Sequence, residues 1–184
     1  MSEPELGLTD EMVFAKWEEV ASLIDVLIQR IQDPADFAIA EGSELAFDDA
    51  SSIPYQVSHC VRWGLNAGIE HLHAVKTLVI DARLIHASAD YTLIRGAIEN
   101  LAAAYWVLHP SDRNQRVIRA LRWMAKNYRD QNTAITAHPG AGGAPWSETL
   151  LMTSDHSRIL AMLLPAMILV QDLLRLLAER SAVS

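Results

Sequence analysis

Ser88-Ala-Asp-Tyr-Thr-Leu-Ile-Arg-Gly-Ala-Ile-Glu-Asn-Leu-Ala-Ala-Ala-Tyr-Trp-Val-Leu108 is the stretch that decides the fold class. It is apolar almost all round, shows no period-two alternation, and reads as a helix buried on every side. Within it Arg95 and Glu99 stand four residues apart and so on one face. A charged pair inside such a helix costs several kcal/mol unless its partners are well placed, which makes Arg95 and Glu99 the first functional candidates. The chemistry in view is a guanidinium steadied by Glu99, with donors left to grip a carboxylate or phosphate. Tyr91 and Thr92 lie on roughly the same side. The plainer alternative is a structural pair that fixes helix register or faces an interface.

The preceding stretch, from Tyr55 to about Ile85, reads as a second long helix opened by Pro54. One side carries Val57, Val61, Leu65, Gly68, Leu72, Val75 and Val79, and the other carries His59, Arg62, Asn66, Glu70, His73 and Thr77. Gly64 and Gly68, one turn apart, weaken a helix unless another backbone approaches closely there. They predict a close helix crossing, with Gly96 as the counterpart on the next helix.

Further out, Asp10 or Thr9 caps a first helix running to about Gln32, with Met12, Val13, Trp17, Val20, Leu23, Ile24, Leu27, Ile28 and Ile31 at helical spacing. Asp33-Pro34 ends it, and 33–54 reads as an acidic connector. After His109-Pro110, Ser111 is the expected cap of a fourth helix to about Ala137. Its apolar set Val117, Ile118, Leu121, Met124 and Ala125 is the expected core face, beside a stripe of Arg113, Arg116, Arg119, Arg122, Lys126 and Arg129. Residues 138–147 are a Gly/Pro loop. A fifth helix begins near Ser154 or Asp155, is expected to kink at Pro165, and ends near Arg180. The reading is all-α: one domain over 1–184, an up-and-down bundle of about five helices behind a flexible 1–8.

Charge and composition narrow the function. The net charge is −8, with 51% hydrophobic and 21% charged residues, so the chain is globular and nucleic acid is not an expected partner. Residues 1–52 hold thirteen acids against two bases, and the arginine-rich segment holds six bases against Asp112 and Asp130. Neutralisation of that basic stripe by the acidic segment, within the chain or across a dimer, is the expectation. The mean hydropathy of +0.10 is high for a monomer and points to a homodimer that buries part of the fifth helix. The longest apolar run, Ile159 to Val170, is too short to span a bilayer. A lone cysteine, Cys60, and an acidic N-terminus with no basic-then-apolar leader point to the cytoplasm.

Other chemistry leaves weaker traces. Glu70 and His73 form a Glu-x-x-His, the spacing by which one helix offers two ligands to a metal. No second such motif exists in the chain, and His59 to His73 spans about 21 Å of helix at the usual rise. No metal or other cofactor is therefore expected. The arginines upstream of histidines do not fit the Arg-x4–6-His spacing of helical nucleases, and no Ser-His-Asp order, phosphate loop or dinucleotide fingerprint is present.

The run Pro54-x-x-x-Ser58, Glu70-His71-Leu72, Thr92 to Asn100, and Trp106-Val107-Leu108-x-Pro110 resembles a group of bacterial, actinobacterial-type all-helical proteins with no established function. The resemblance covers roughly residues 44–130. It implies weight on Asp48, Asp49, Ser58, His71, Arg95, Glu99 and Asn100, and it brings His71 towards Glu99 or Asn100 at the helix crossing. Three functional readings follow. The first is a non-enzymatic protein holding a small anionic ligand in a pocket of Arg95, Glu99, His71, Asn100 and Tyr91. The second is an enzyme using the His71, Arg95 and Glu99 cluster, or a metal at Glu70 and His73. The third is a structural protein–protein interaction module.

Overall fold

The computed structural model describes residues 10–33, 35–136 and 156–182. The expected caps Thr9, Ser154 and Asp155, together with Pro34, the 1–8 segment and the 138–147 loop, lie outside the described residues. Among the described residues the chain is all helical, with α1 Asp10–Gln32, α2 Glu44–Ser51, α3 Val57–Lys76, α4 Ala87–Leu108, α5 Arg113–Thr136 and α6 His156–Ser181. No described helix is long and apolar enough to cross a membrane.

Six helices stand where about five are expected, because α2 forms inside the acidic connector. Its local signals are short-range. Gly42, at φ +81°, turns the chain in the left-handed region that glycine enters without penalty. Ser43 then caps the helix by accepting from the Ala46 N–H at 3.2 Å. Eight residues are too few to show an apolar period, so the element is invisible to pattern reading.

The start of α3 is built from α2. Its own cap residue, Gln56, makes no side-chain bond. Asp49 serves instead, accepting from the Ser58 N–H at 2.8 Å and from the Ser58 hydroxyl at 2.6 Å. α3 runs out into a π-helical turn, Thr77–Asp81, and so stops before Ile85. Lys76 pins that end, reaching Asp25 of α1 at 3.1 Å and Asp81 at 3.0 Å, and both carboxylates raise its pKa, Asp81 the more. The first turn of α4 is closed by Asp90, which accepts from the His86 N–H at 2.9 Å. Asp112, rather than Ser111, caps α5 by accepting from the Asn114 N–H at 3.1 Å. α6 runs unbroken through Pro165.

The core follows the helical period. Trp17, Val20, Ile24 and Leu27 of α1 are buried against Val61, Leu65, Ile69 and Leu72 of α3 and Ile94, Ala97 and Leu101 of α4. From α6 come Ala166, Met167, Val170, Leu173 and Leu177. Each such Leu, Ile or Val contributes about 1.5–3 kcal/mol by leaving water. Over 166–177 α6 thus turns these five residues into the chain's own core, while Ile168 is exposed.

Candidate functional site

α3 and α4 run antiparallel and nearly touch, at the glycines that predict it. A Cβ on Gly64 would lie 2.9 Å from the Asn100 carbonyl oxygen and 3.0 Å from Ala104 Cβ. One on Gly68 would lie 2.5 Å from Leu101 Cγ, and one on Gly96 would lie 2.7 Å from the ring of His71. His71 therefore rests on the bare backbone of Gly96. Its Nδ1 stands 2.6 Å from the Ala67 carbonyl oxygen, which can only accept, so Nδ1 carries the proton and Nε2 faces Gly96. Asn100 donates to the Gly96 carbonyl at 2.8 Å. His71 and Asn100 thus meet at one glycine.

Arg95, Glu99 and Tyr91 do not join them. The Arg95–Glu99 pair is made, Nε to Oε1 at 2.7 Å, but the two side chains are 65% and 61% exposed. The bond to Glu99 and its charge raise the Arg95 pKa, as an exposed ion pair does. Burial of this pair is the expectation that fails. The buried residues of α4 are Asp90, Ile94, Ala97, Leu101, Ala104, Val107 and Leu108, and the opposite face is open. Ala102 and Ala103 look apolar in sequence but are small enough to stand half-buried at the margin. Tyr91 is exposed on the same outer side.

The polar stripe of α3 is partly employed. Arg62 donates to the Phe37 carbonyl at 2.8 Å, while His59, Glu70 and Thr77 are exposed and His73 is half-buried. Among the described residues no three His, Cys, Asp or Glu side chains converge as a metal site would. Cys60 is buried and its thiol is pushed up to about 12 by loss of solvent, which favours the protonated thiol over the thiolate.

The buried charge lies elsewhere. Arg116 is 2% exposed and meets a fully buried Asp48 of α2 in a two-point fork, Nε to Oδ2 at 2.5 Å and Nη2 to Oδ1 at 2.9 Å. Nη1 donates to the carbonyls of Pro110 at 2.9 Å and Ser111 at 2.8 Å. Glu44 takes the remaining Nη2 position at 3.4 Å and is itself held by Arg180 of α6 at 2.5 Å. Four of the five guanidinium N–H donors are thus hydrogen-bonded and Glu44 stands beside the fifth as an ion-pair partner, so Arg116 is held by the chain itself. It ties α2, α5 and α6 together. The acidic segment does neutralise the basic stripe within the chain, at Arg116 and, at 3.7 Å, Arg113.

With Arg116 turned inward the expected core face of α5 is divided: Val117 packs against the core and Met124 is half-buried, while Ile118, Leu121 and Ala125 are exposed. Arg116 and Ala120 are buried, whereas Ile118 is 43%, Leu121 37% and Tyr128 53% exposed, and Ala125 is exposed with them. The expectation fails for those exposed residues, because the buried bidentate pair takes the inward position and sets the rotation of the helix. Beside the stripe run Arg122, Lys126 and Arg129, all exposed. Lys126 pairs with Asp130 at 2.5 Å, while Arg122 and Arg129 make no ion pair among the described residues. Arg119 is held over Trp106, 5.0 Å from the ring centroid. Where α5 faces α3, a cleft of about 230 Å³ is lined by Trp63, Met124, Asn127, Tyr128 and Gln131. Trp63 meets Trp123 edge-on at 5.6 Å, and Tyr55 meets Tyr128 at 5.9 Å.

A comparison with protein-family models, with curated proteins and with solved structures finds no match to this chain.

Proposed function

We propose that this chain is a non-enzymatic helical-bundle module that binds another protein, and that the outer face of α5 is its contact surface. The observation that carries the reading is the outer face of α5: Ile118, Leu121, Ala125 and Tyr128, at helical spacing, stand in solvent while Arg116 occupies a core position beside Ala120. No residue from 121 to 133 is buried. A helix of that length with so little packing is marginal in water, and a partner that covers the stripe supplies what the chain does not. In this reading the module works in the cytoplasm, where Cys60 stays reduced.

The small-anion reading has less behind it, since Arg95 and Glu99 stand exposed and apart from the contact of His71 with Gly96. The test is a photo-crosslinking residue placed at Ala125 in the full chain, irradiated in the native cell, with Glu18 on the exposed face of α1 as control position. A covalent protein adduct from Ala125 and none from Glu18 is expected. Absence of any adduct from Ile118, Ala125 and Tyr128 alike overturns the reading.

A further inference from the structure

Resting on that reading, we infer that the occupant of the α5 face is an amphipathic helix with acidic flanks, contributed by a partner protein. The stripe Ile118, Leu121, Ala125, Tyr128 offers anchors at the spacing of a helix laid alongside, and Met124, Trp63 and Tyr128 wall a cleft beside it that takes one bulky side chain. The aromatic and methionine content is that of an interface centre rather than of ordinary surface.

Charge selects among the possible occupants. The rail along the stripe is basic: Arg113 and Arg116 are taken up by Asp48 and Lys126 by Asp130, which leaves Arg122 and Arg129 exposed and without an ion pair among the described residues. A second copy joined through the same face would bring this basic helix against itself, with no acid of α5 but Asp130 in the exposed segment to offset it. Nucleic acid and anionic membranes present extended negative surfaces, which reach past the rail onto the rest of a chain of net charge −8. A single acidic helix samples only the charges within a Debye length, about 8 Å at physiological salt, and there the field is that of the rail. Apolar anchors supply the affinity and the rail supplies approach rate and orientation.

The test titrates the full chain with a synthetic helical peptide of about five turns, leucines on one face and glutamates flanking them, and with a twin carrying lysines in place of the glutamates. Tryptophan fluorescence and peptide anisotropy report binding. The expected result is at least about tenfold tighter binding of the glutamate peptide, weakening as salt is raised, and a loss of about tenfold or more in Leu121→Asp. Arg122→Glu with Arg129→Glu is expected to reverse the preference between the twins. Leu121 is exposed, so the variant folds, as circular dichroism verifies; Ile118→Asp is the second variant. Equal binding of both twins, lost in Leu121→Asp, overturns the acidic partner and leaves the protein-contact reading standing. Binding of neither twin, with no adduct from Ala125, removes both. Two further outcomes overturn the proposal by naming another occupant. One is a dimer in sedimentation that dissociates in Leu121→Asp; the other is capture by vesicles of phosphatidylcholine and phosphatidylglycerol that the same change abolishes.

Discussion

Arg116 closes on Asp48 across 68 residues of chain, with both side chains buried and both carboxylate oxygens engaged. The pair joins α2 to α5 and sets which face of α5 looks outward. Removing one partner leaves the other as an uncompensated buried charge. Asp48→Ala is therefore expected to destabilise by about 3–5 kcal/mol, read from urea unfolding. The joint change Asp48→Leu, Arg116→Met is expected to cost less than Asp48→Ala alone, although the Pro110 and Ser111 carbonyls lose their donor. A joint change costing more would show that the pair contributes beyond the cancellation of its own charges.

Gly64→Ala tests the α3–α4 contact. Alanine is the better helix former by about 1 kcal/mol. Its Cβ meets the Asn100 carbonyl oxygen at 2.9 Å, however, and backbone gives way less than a side-chain end. Overpacking of about 1–3 kcal/mol is expected to prevail, with a lower melting temperature.

At Gly96 the obstacle is the ring of His71. Gly96→Ala is expected to destabilise in the parent chain and to do so far less in the His71→Ala background. A thermal-melt double-mutant cycle with no coupling between the two positions would refute the contact.

Asp49 caps α3 from outside that helix. Asp49→Ala is expected to cost about 1–2 kcal/mol. Faster amide exchange should begin at Ser58, whose N–H loses its acceptor.

Cys60 supplies a pH signature. Its folded pKa is raised to about 12 from an ordinary 9.0 by burial. Below pH 9 both states hold the proton and the group leaves stability unchanged. Between pH 9 and about 12 the unfolded thiol ionises first, so its contribution to stability falls as pH rises. At pH 8 a disulfide reagent is expected to leave the native thiol untouched and to titrate it fully in urea. Rapid native reaction would place the thiol at the surface.

Arg95→Ala and Glu99→Ala are expected to leave the urea midpoint unmoved. Both side chains are largely exposed, and such surface pairs are screened.

What the residues determine by themselves is local and periodic. The all-helical class, the span of α1, the core line Trp17, Val20, Ile24, Leu27, and the crossing at Gly64, Gly68 and Gly96 follow from spacing and from the absence of a Cβ. The opposition between an acidic first quarter and a basic α5 is also readable, and the Arg116–Asp48 pair realises it within the chain. Which arginine would turn inward is not readable, because α5 carries two plausible faces and periodicity ranks the apolar one first. Only the tertiary structure decided that α2 forms and buries Asp48, and a buried carboxylate demands a saturated cation beside it more strongly than Ile118 and Leu121 demand shelter from water. The same limit explains Arg95 and Glu99. A helix of alanines looks buried on every side until its neighbours are in place, and those neighbours cover one side of α4 and leave that pair to solvent.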